Sequence, residues 1–311
     1  MIRFLIRRLL QMIVAFFGTT LLVYALMFAA QNDPIQALVG ERPVSEAQRE
    51  ALTKQFHLDK TGLGGFLYRY WDYISHLLRG QLGTSLTGQP VSQIIARAWP
   101  YTLEMAAIAI IMVMVVGVGA GVFAGIHKGG FFDNLTLLVT LILIGVPVLV
   151  IGILASYLLG YKWGIFPVSS TDGTLWELVL PGLVLGSLSL ATALRLTSTS
   201  VAENLGADYV RTANSKGLSR SRVIGAHVLR NSLIPIVTFL GVEIGNLMAG
   251  AIITERIFNV PGIGFNLYKA INTEDGPTVV SIVSVLVLVF LVMNLVVDLL
   301  YAVLDPRIRY A

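Results

Sequence analysis

Apolar residues gather along this chain in stretches long enough to cross a bilayer, separated by short polar segments. About 20 apolar residues span the hydrocarbon core as a helix. Stretches near that length lie at roughly 9–30, 101–126, 135–160, 179–195, 231–254 and 278–304, so the pattern predicts an all-α polytopic membrane protein with six transmembrane helices. The first stretch follows Arg3, Arg7 and Arg8, a charged start shared with signal peptides. Its apolar run is too long for a typical signal core, so it reads as an uncleaved span.

One polar interruption keeps helical periodicity. It falls in loop 196–230 and contains ENLGADYVRTANSKGLSRSRVIGAHVLRN, with Arg211, Lys216, Arg220, Arg222 and Arg230 against Glu203 and Asp208. Val201, Leu205, Tyr209 and Ala213 recur every four residues, which predicts one apolar stripe. Asp208 and Arg211 are spaced to pair on a helix surface. Lys216 then Gly217 form a helix-ending signature, a base at the negative end of the dipole and a residue free to take positive φ. Ser219 is placed to cap a second helix that runs into the fifth span. A short helix, a glycine turn and a helix continuous with a span make a lever; a solvated connector with ordinary patterning is the alternative.

Composition sharpens the picture. Hydrophobic residues make up 55% of 311 and charged residues only 13%, against roughly 25% charged in soluble domains, and mean hydropathy is +0.77. The absence of cysteine excludes disulfides, thiolate metal sites and cysteine nucleophiles. A formal charge of +4 does not imply nucleic acid, because the bases sit beside apolar spans. With both termini inside, twelve of the 22 Lys and Arg fall in short inner segments, and seven of the other ten fall between Gln31 and Pro100. Long translocated loops are largely exempt from the charge rule, so the expected orientation has both termini in the cytoplasm.

The chain then divides into an N-terminal segment with the first span (1–30), an extracytoplasmic helical cap (31–100) and a core of five spans (101–311). In the cap, Pro43, Ser45 and Glu46 read as a helix start with Ala47, Ala51 and Leu52 among the buried positions. Tyr68, Tyr70, Trp71 and Tyr73 read as an interfacial aromatic belt in preference to a ligand site.

Helices in lipid associate where small residues let backbones approach. Gly117, Gly121 and Gly125 share one face of the second span, and Gly241 with Gly245 repeat the device in the fifth. Pro147, and Pro181 with Gly182, are expected to kink or open their helices. Ionisable groups inside the spans are few. Glu243, with Asn246 three residues on, is the candidate for a polar spot on a transport path; a Glu satisfied by a neighbouring helix or second subunit is the alternative. Glu104 lies near an outer end, and Asp298 is within reach of an inner-leaflet arginine. No HExxH, GxSxG or paired intramembrane carboxylates occur, no metal ligands are assigned, and no Gly-Lys dipeptide exists to build a P-loop. Any ATP used must be bound by another chain.

Tyr209-Val-Arg-Thr-Ala-Asn-Ser-Lys-Gly217-Leu, followed by His227-Val-Leu-Arg-Asn-Ser-Leu-Ile-Pro235, closely resembles the coupling-loop motif of ABC importer permeases in the dipeptide, oligopeptide and nickel branch. Arg211-Thr-Ala replaces the general Glu-Ala-Ala, and Arg230 stands where many sugar importers have proline. The likeness extends through FLIRRLL, NDP and LVGER, LDK at 58–60, RGQLGTS at 79–85, TERIFNVPGIG from Thr254 to Gly264, and NLVVDLLYAVLDPRIRY at the end. Gln81 and Asn32 depart from the usual Asp and Gly.

The resemblance implies the type I ABC importer permease fold in a bacterial cytoplasmic membrane. It implies as partners a second homologous permease, two ABC ATPase subunits that bind the ATP and Mg, and an extracytoplasmic peptide-binding protein. Tyr209, Arg211, Thr212, Ala213, Lys216, Gly217 and Leu218 are assigned to ATPase coupling, and Phe258, Pro261 and Gly262 to an outer gate or docking surface. The expected function is peptide import, with a nickel-chelate or glutathione importer as the related alternative. A stand-alone secondary transporter, an intramembrane enzyme and a lipid-bound scaffold are the rival classes.

Overall fold

A computed structural model describes residues 2–28, 45–55, 62–170, 172–249 and 251–304. Pro43 and the motif segments at 32–34, 38–42, 58–60 and 305–310 lie outside them, as do the side chains of Ala51 and Leu52. Every regular element among the described residues is a helix. Helix α1 is Ile2–Phe28, α2 Glu46–Gln55 and α3 Gly62–Leu78. Helix α4 runs continuously over Val91–Ile126, with a π-helical stretch at Val113–Val118. Helices α5 (Phe131–Gly145) and α6 (Val148–Lys162) are bent against each other by 105°, and α7 (Leu175–Leu185) and α8 (Ser187–Leu205) by 55°. Helix α9 is Asp208–Ser215. Helix α10 begins at Arg220–Arg222, passes through a π-helical stretch at Val223–Val228 and continues as Leu229–Ala249. Helices α11 (Ile252–Phe258), α12 (Ile263–Asn272) and α13 (Gly276–Leu304) complete the chain.

Four helices are long and apolar enough to cross a membrane alone, and each bent pair passes the same test if taken as one span. The break at Pro147 falls where expected, though it is a sharp turn and not a kink. Val146 leaves the helix in extended conformation, and proline restricts the residue before it in that way. The second break is misplaced by the sequence reading. Pro181 lies inside α7 and is buried, and the chain bends at Gly186 instead. There a Cβ would stand 2.8 Å from Met112 Cε and 3.1 Å from Ala109 Cα, so close packing on α4 selects glycine.

The fourth apolar stretch is also longer than predicted. Helix α8 continues ten residues past Arg195 because Thr197 returns its hydroxyl proton to the Ala193 carbonyl at 2.7 Å and Ser200 donates to Ser232 O on α10 at 3.0 Å. Polar residues with their protons accounted for do not end a buried helix.

The glycine seam holds. A Cβ on Gly121 would lie 2.7 Å from Leu194 O, and one on Gly125 2.7 Å from Ser198 O, so α4 and α8 touch backbone to backbone. A Cβ on Gly241 would lie 3.2 Å from the side chain of Val297 on α13, a contact made through that side chain and not backbone to backbone. Asp298 pairs with Arg8 at 2.7 Å, tying α13 to α1.

The aromatic group on α3 divides by face. Tyr68 and Trp71 are exposed, but Tyr70 is buried, donates to Phe17 O at 3.0 Å and meets Thr20 Oγ1 at 2.9 Å. Tyr73 donates to Ser284 Oγ at 2.8 Å. Half of the expected belt is therefore the seam that seats α3 on α1 and α13. At α2, Ser45 Oγ accepts from Gln48 N and Gln48 Oε1 accepts from Ser45 N, a reciprocal capping box. Ala47, expected to be buried, is exposed.

Candidate functional site

The polar segment folds as a helical elbow. Helix α8 ends at Leu205, Gly206 and Ala207 turn the chain, and α9 lies across the end of the bundle before α10 departs. Its apolar stripe is not the one that four-residue spacing predicts, because the break at Gly206 resets the helical phase. Val210, not Tyr209, turns inward. Val201, Val210, Ala213, Val223 and Val228 form one buried cluster, flanked by Val122 and Ile126 of α4 and by Leu205, Leu218 and Leu229. Side chains from α4, α8, α9 and α10 thus share one small core.

Helix α9 ends as its sequence requires. Gly217 has φ +77°, Gly217 N donates to Asn214 O at 2.9 Å, and Leu218 N donates to Ala213 O at 3.3 Å. This double closure is the Schellman motif, and the contact of Leu218 with the cluster is its usual apolar partner. Ser219 occupies the cap position of α10, but its hydroxyl makes no cap hydrogen bond and meets Ser221 Oγ at 3.4 Å instead. Asp208 and Arg211 pair at 3.5 Å on the open face.

The seven residues assigned to coupling divide into two groups. Tyr209, Arg211, Thr212, Lys216 and Gly217 are exposed, whereas Ala213 is buried and Leu218 half-buried. The second group holds the elbow to the bundle, and the first presents a polar, cationic surface. Tyr209 is steadied by a 2.5 Å hydrogen bond to Asn204 Oδ1. Two residues escape the sequence reading: Ser200 and Ser232 exchange hydrogen bonds to each other's carbonyls at 3.0 and 3.2 Å, locking α8 to α10 just above the elbow. The signal available was a serine on each of two apolar helices, too common to single out.

Farther along α10, Glu243 accepts from Ser189 of α8 in a short hydrogen bond and from Asn246 Nδ2 at 3.3 Å. Asn246 is exposed and Glu243 half-buried. A neighbouring helix therefore satisfies one oxygen while the pair stays open to the surface of the chain.

Phe258, Pro261 and Gly262 belong to the hairpin between α11 and α12. Phe258 is wholly buried, so it builds the hairpin and offers no surface, while Pro261 is half-buried. The centre of this unit is Glu255, fully buried and absent from the expected residues. Its Oε1 accepts from Thr102 Oγ1 at 2.7 Å and its Oε2 from Phe265 N at 2.7 Å, while Thr102 accepts from Ile263 N at 2.9 Å. Burial pushes the carboxyl up to about 7, and the Thr102 hydroxyl and Phe265 amide act in the opposite direction. A Cβ on Gly262 would lie 2.4 Å from Glu255 Cδ, which explains the glycine. Among the described residues, no group of three or more His, Cys, Asp or Glu could hold a metal ion.

Two family descriptions match the chain: the inner membrane component of binding-protein-dependent transport systems over residues 117–310, and the N-terminal part of such membrane components over residues 1–106. Similarity to individual proteins runs end to end. The dipeptide transport system permease of Escherichia coli is 35% identical, covering 100% of this chain and 99% of that one. The di/tripeptide transport system permease of Pseudomonas aeruginosa is 36% identical over 100% and 99%. A glutathione transport system permease of Escherichia coli is 33% identical over 100% of both.

Proposed function

Because this chain belongs to the family of inner membrane components of binding-protein-dependent transport systems, we propose that it is the permease subunit of an ATP-driven peptide importer in a bacterial cytoplasmic membrane. Each bent helix pair counts as one span, giving six, with both termini cytoplasmic and residues 31–100 as an outer cap. Helix α9 is the coupling helix. Two ABC ATPase subunits, which carry the ATP and Mg, grip its exposed face. A second homologous permease completes the pathway, and an external binding protein delivers the peptide.

The observation that carries this reading is the construction of the elbow. A cationic surface on α9 is backed by a buried cluster drawn from α4, α8 and α10, so displacement of α9 is passed to three spans at once. Closure of the ATPase dimer would draw the two coupling helices together and reorient the bundle; hydrolysis would reset it. Glu243 and Asn246, open to the surface between α8 and α10, suit a polar station on the translocation path. The hairpin carrying Phe258, Pro261 and Gly262 suits an outer gate or docking element, with Glu255 as its internal brace. Both peptide and glutathione permeases are among the relatives, and a tolerant cavity serves either cargo.

Affinity purification of the full-length chain from its own host tests the proposal. The expected result is recovery with a second permease and two P-loop ATPase subunits in fixed stoichiometry. Purification of the chain alone, with uptake driven by an ion gradient and indifferent to ATP, would overturn it. Competition of labelled dipeptide uptake by glutathione distinguishes the two cargoes.

A further inference from the structure

Between α5 and α8, beside the α4–α5 turn, lies a cleft of about 140 Å³ into which Lys128 and Arg195 converge with Ser198 and Thr199. Arg195 is exposed on α8, and neither its side chain nor that of Lys128 makes a hydrogen bond or ion pair among the described residues. Ser198 and Thr199 likewise spend their hydroxyl protons on no partner there. Asp133 shares the cleft, but one of its oxygens already accepts from Gly129 N at 2.9 Å. Two cations against one engaged carboxylate leave the cleft with a net positive charge.

Depth and direction identify the anion. A Cβ on Gly125 would stand 2.7 Å from Ser198 O, so the end of α4 lies level with Ser198 and the turn holding Lys128 follows just beyond it. Arg195 is one helical turn deeper, about 5 Å, within reach of a headgroup phosphate held at the level of that turn. Arg195 faces away from the transport-path candidates, being about 120° around α8 from Ser189, which bonds Glu243. Its cleft opens beside Leu137, Leu138 and Leu141 of α5, each roughly half exposed, an apolar track suited to an acyl chain. A guanidinium fork, an ammonium and two free hydroxyls are the donor set that recognises a phosphate, and basic pockets between spans on the cytoplasmic side hold anionic headgroups.

We propose that this cleft binds the phosphate of one anionic phospholipid of the cytoplasmic leaflet. Arg195 is the principal donor, Lys128 the second cation, and Ser198 and Thr199 complete the coordination. The leaflet assignment rests on the orientation given under Proposed function.

Native mass spectrometry of the purified importer complex, released from discs containing phosphatidylglycerol or only phosphatidylcholine, tests the site. One phosphatidylglycerol per chain should persist. Arg195→Gln and Lys128→Gln should each weaken retention about fivefold, and together about thirtyfold. Retention equal to wild type in the double variant overturns the site, as does equal retention of phosphatidylcholine. Stabilisation of the phosphatidylcholine sample by millimolar inorganic phosphate, with no lipid retained, overturns the lipid as its source. Orientation is read separately by Ser215→Cys in the cysteine-free chain. Labelling from outside intact cells refutes the inner-leaflet assignment while leaving the measured retention to speak for the cleft itself.

Discussion

Replacing Gly217 by valine is expected to loosen the elbow without disturbing anything around it. Gly217 sits at φ +77°, and a Cβ built there meets no atom within 4 Å, so the penalty is conformational and not steric. Holding an L-residue in the left-handed region costs about 1–2 kcal/mol, and β-branching raises that further. Helix α9 has only eight residues, fewer than the ~12–15 that sustain an isolated helix, so its position depends on the Schellman closure and on burial of Val210 and Ala213. A loss of about 2 kcal/mol multiplies the undocked population about thirtyfold. The expected order of damage is Asn, then Ala, then Val, since asparagine tolerates this conformation best. The complex should be reconstituted with its ATPase and binding-protein partners, and substrate-stimulated ATP turnover, uptake and hydrogen exchange of the α9 amides measured. The valine variant should exchange faster and transport less per ATP while its ATPases remain bound. Wild-type exchange and uptake in that variant would refute the reasoning.

Three further outcomes are expected. Thr102→Val strips partners from the buried Ile263 N–H and Glu255 Oε1, which should cost about 2–4 kcal/mol and lower the melting temperature of the solubilised protein; an unchanged melting temperature would show that water or rearrangement replaces the hydroxyl. Glu255, raised from 4.5 to about 7, binds a proton more tightly folded than unfolded. Its contribution is complete below pH 4.5 and fades as pH rises through 7, by about 3 kcal/mol at the most, so Glu255→Gln should flatten the melting-temperature profile between pH 5 and 8. A profile identical to wild type rules the carboxyl out as its source. Gly125→Ala places a Cβ 2.7 Å from Ser198 O, whereas Gly119→Ala on the same helix meets nothing; the first should destabilise by about 1–3 kcal/mol and the second hardly at all, a contrast that denaturation of the purified protein reads directly.

The helices and the elbow are readable because both rest on local rules: apolar run length, and a base then glycine at a helix end. What escaped reading depends on partners distant in sequence. Glu255 looked like one charge in a mixed motif; its brace is Thr102, 153 residues away. The fourth apolar stretch ends at Arg195 because Thr197, Ser198 and Ser200 are polar, while the helix continues, and only the fold reveals where two of those protons go. Tyr209 was set on the inner face by counting through Gly206 as though the helix were unbroken. The break at Gly186 was assigned to Pro181 because proline is the visible breaker, while the need for glycine there arises from α4 passing close by.

That last contact carries a mechanical consequence. Gly186, where α7 meets α8, abuts Ala109 and Met112, immediately before the π-helical stretch Val113–Val118 of α4. Irregularities in two neighbouring helices therefore lie at one level. On the elbow side of that level, α4 and α8 are fused by Gly121 and Gly125, and α9 is seated on both through one cluster. A π-helical stretch interrupts the regular hydrogen-bond ladder, and such stretches are often functional, so bending should concentrate there while the elbow block moves as a unit. Spin labels on cysteines introduced at Gly119 and Ser215 both lie within that block; labels at Trp176 and Ser215 straddle the hinge. Trapping the complex with ATP should shift the second distance and leave the first fixed. If the first changes as much as the second, α9 slides on the bundle, and force reaches the spans by some route other than this cluster.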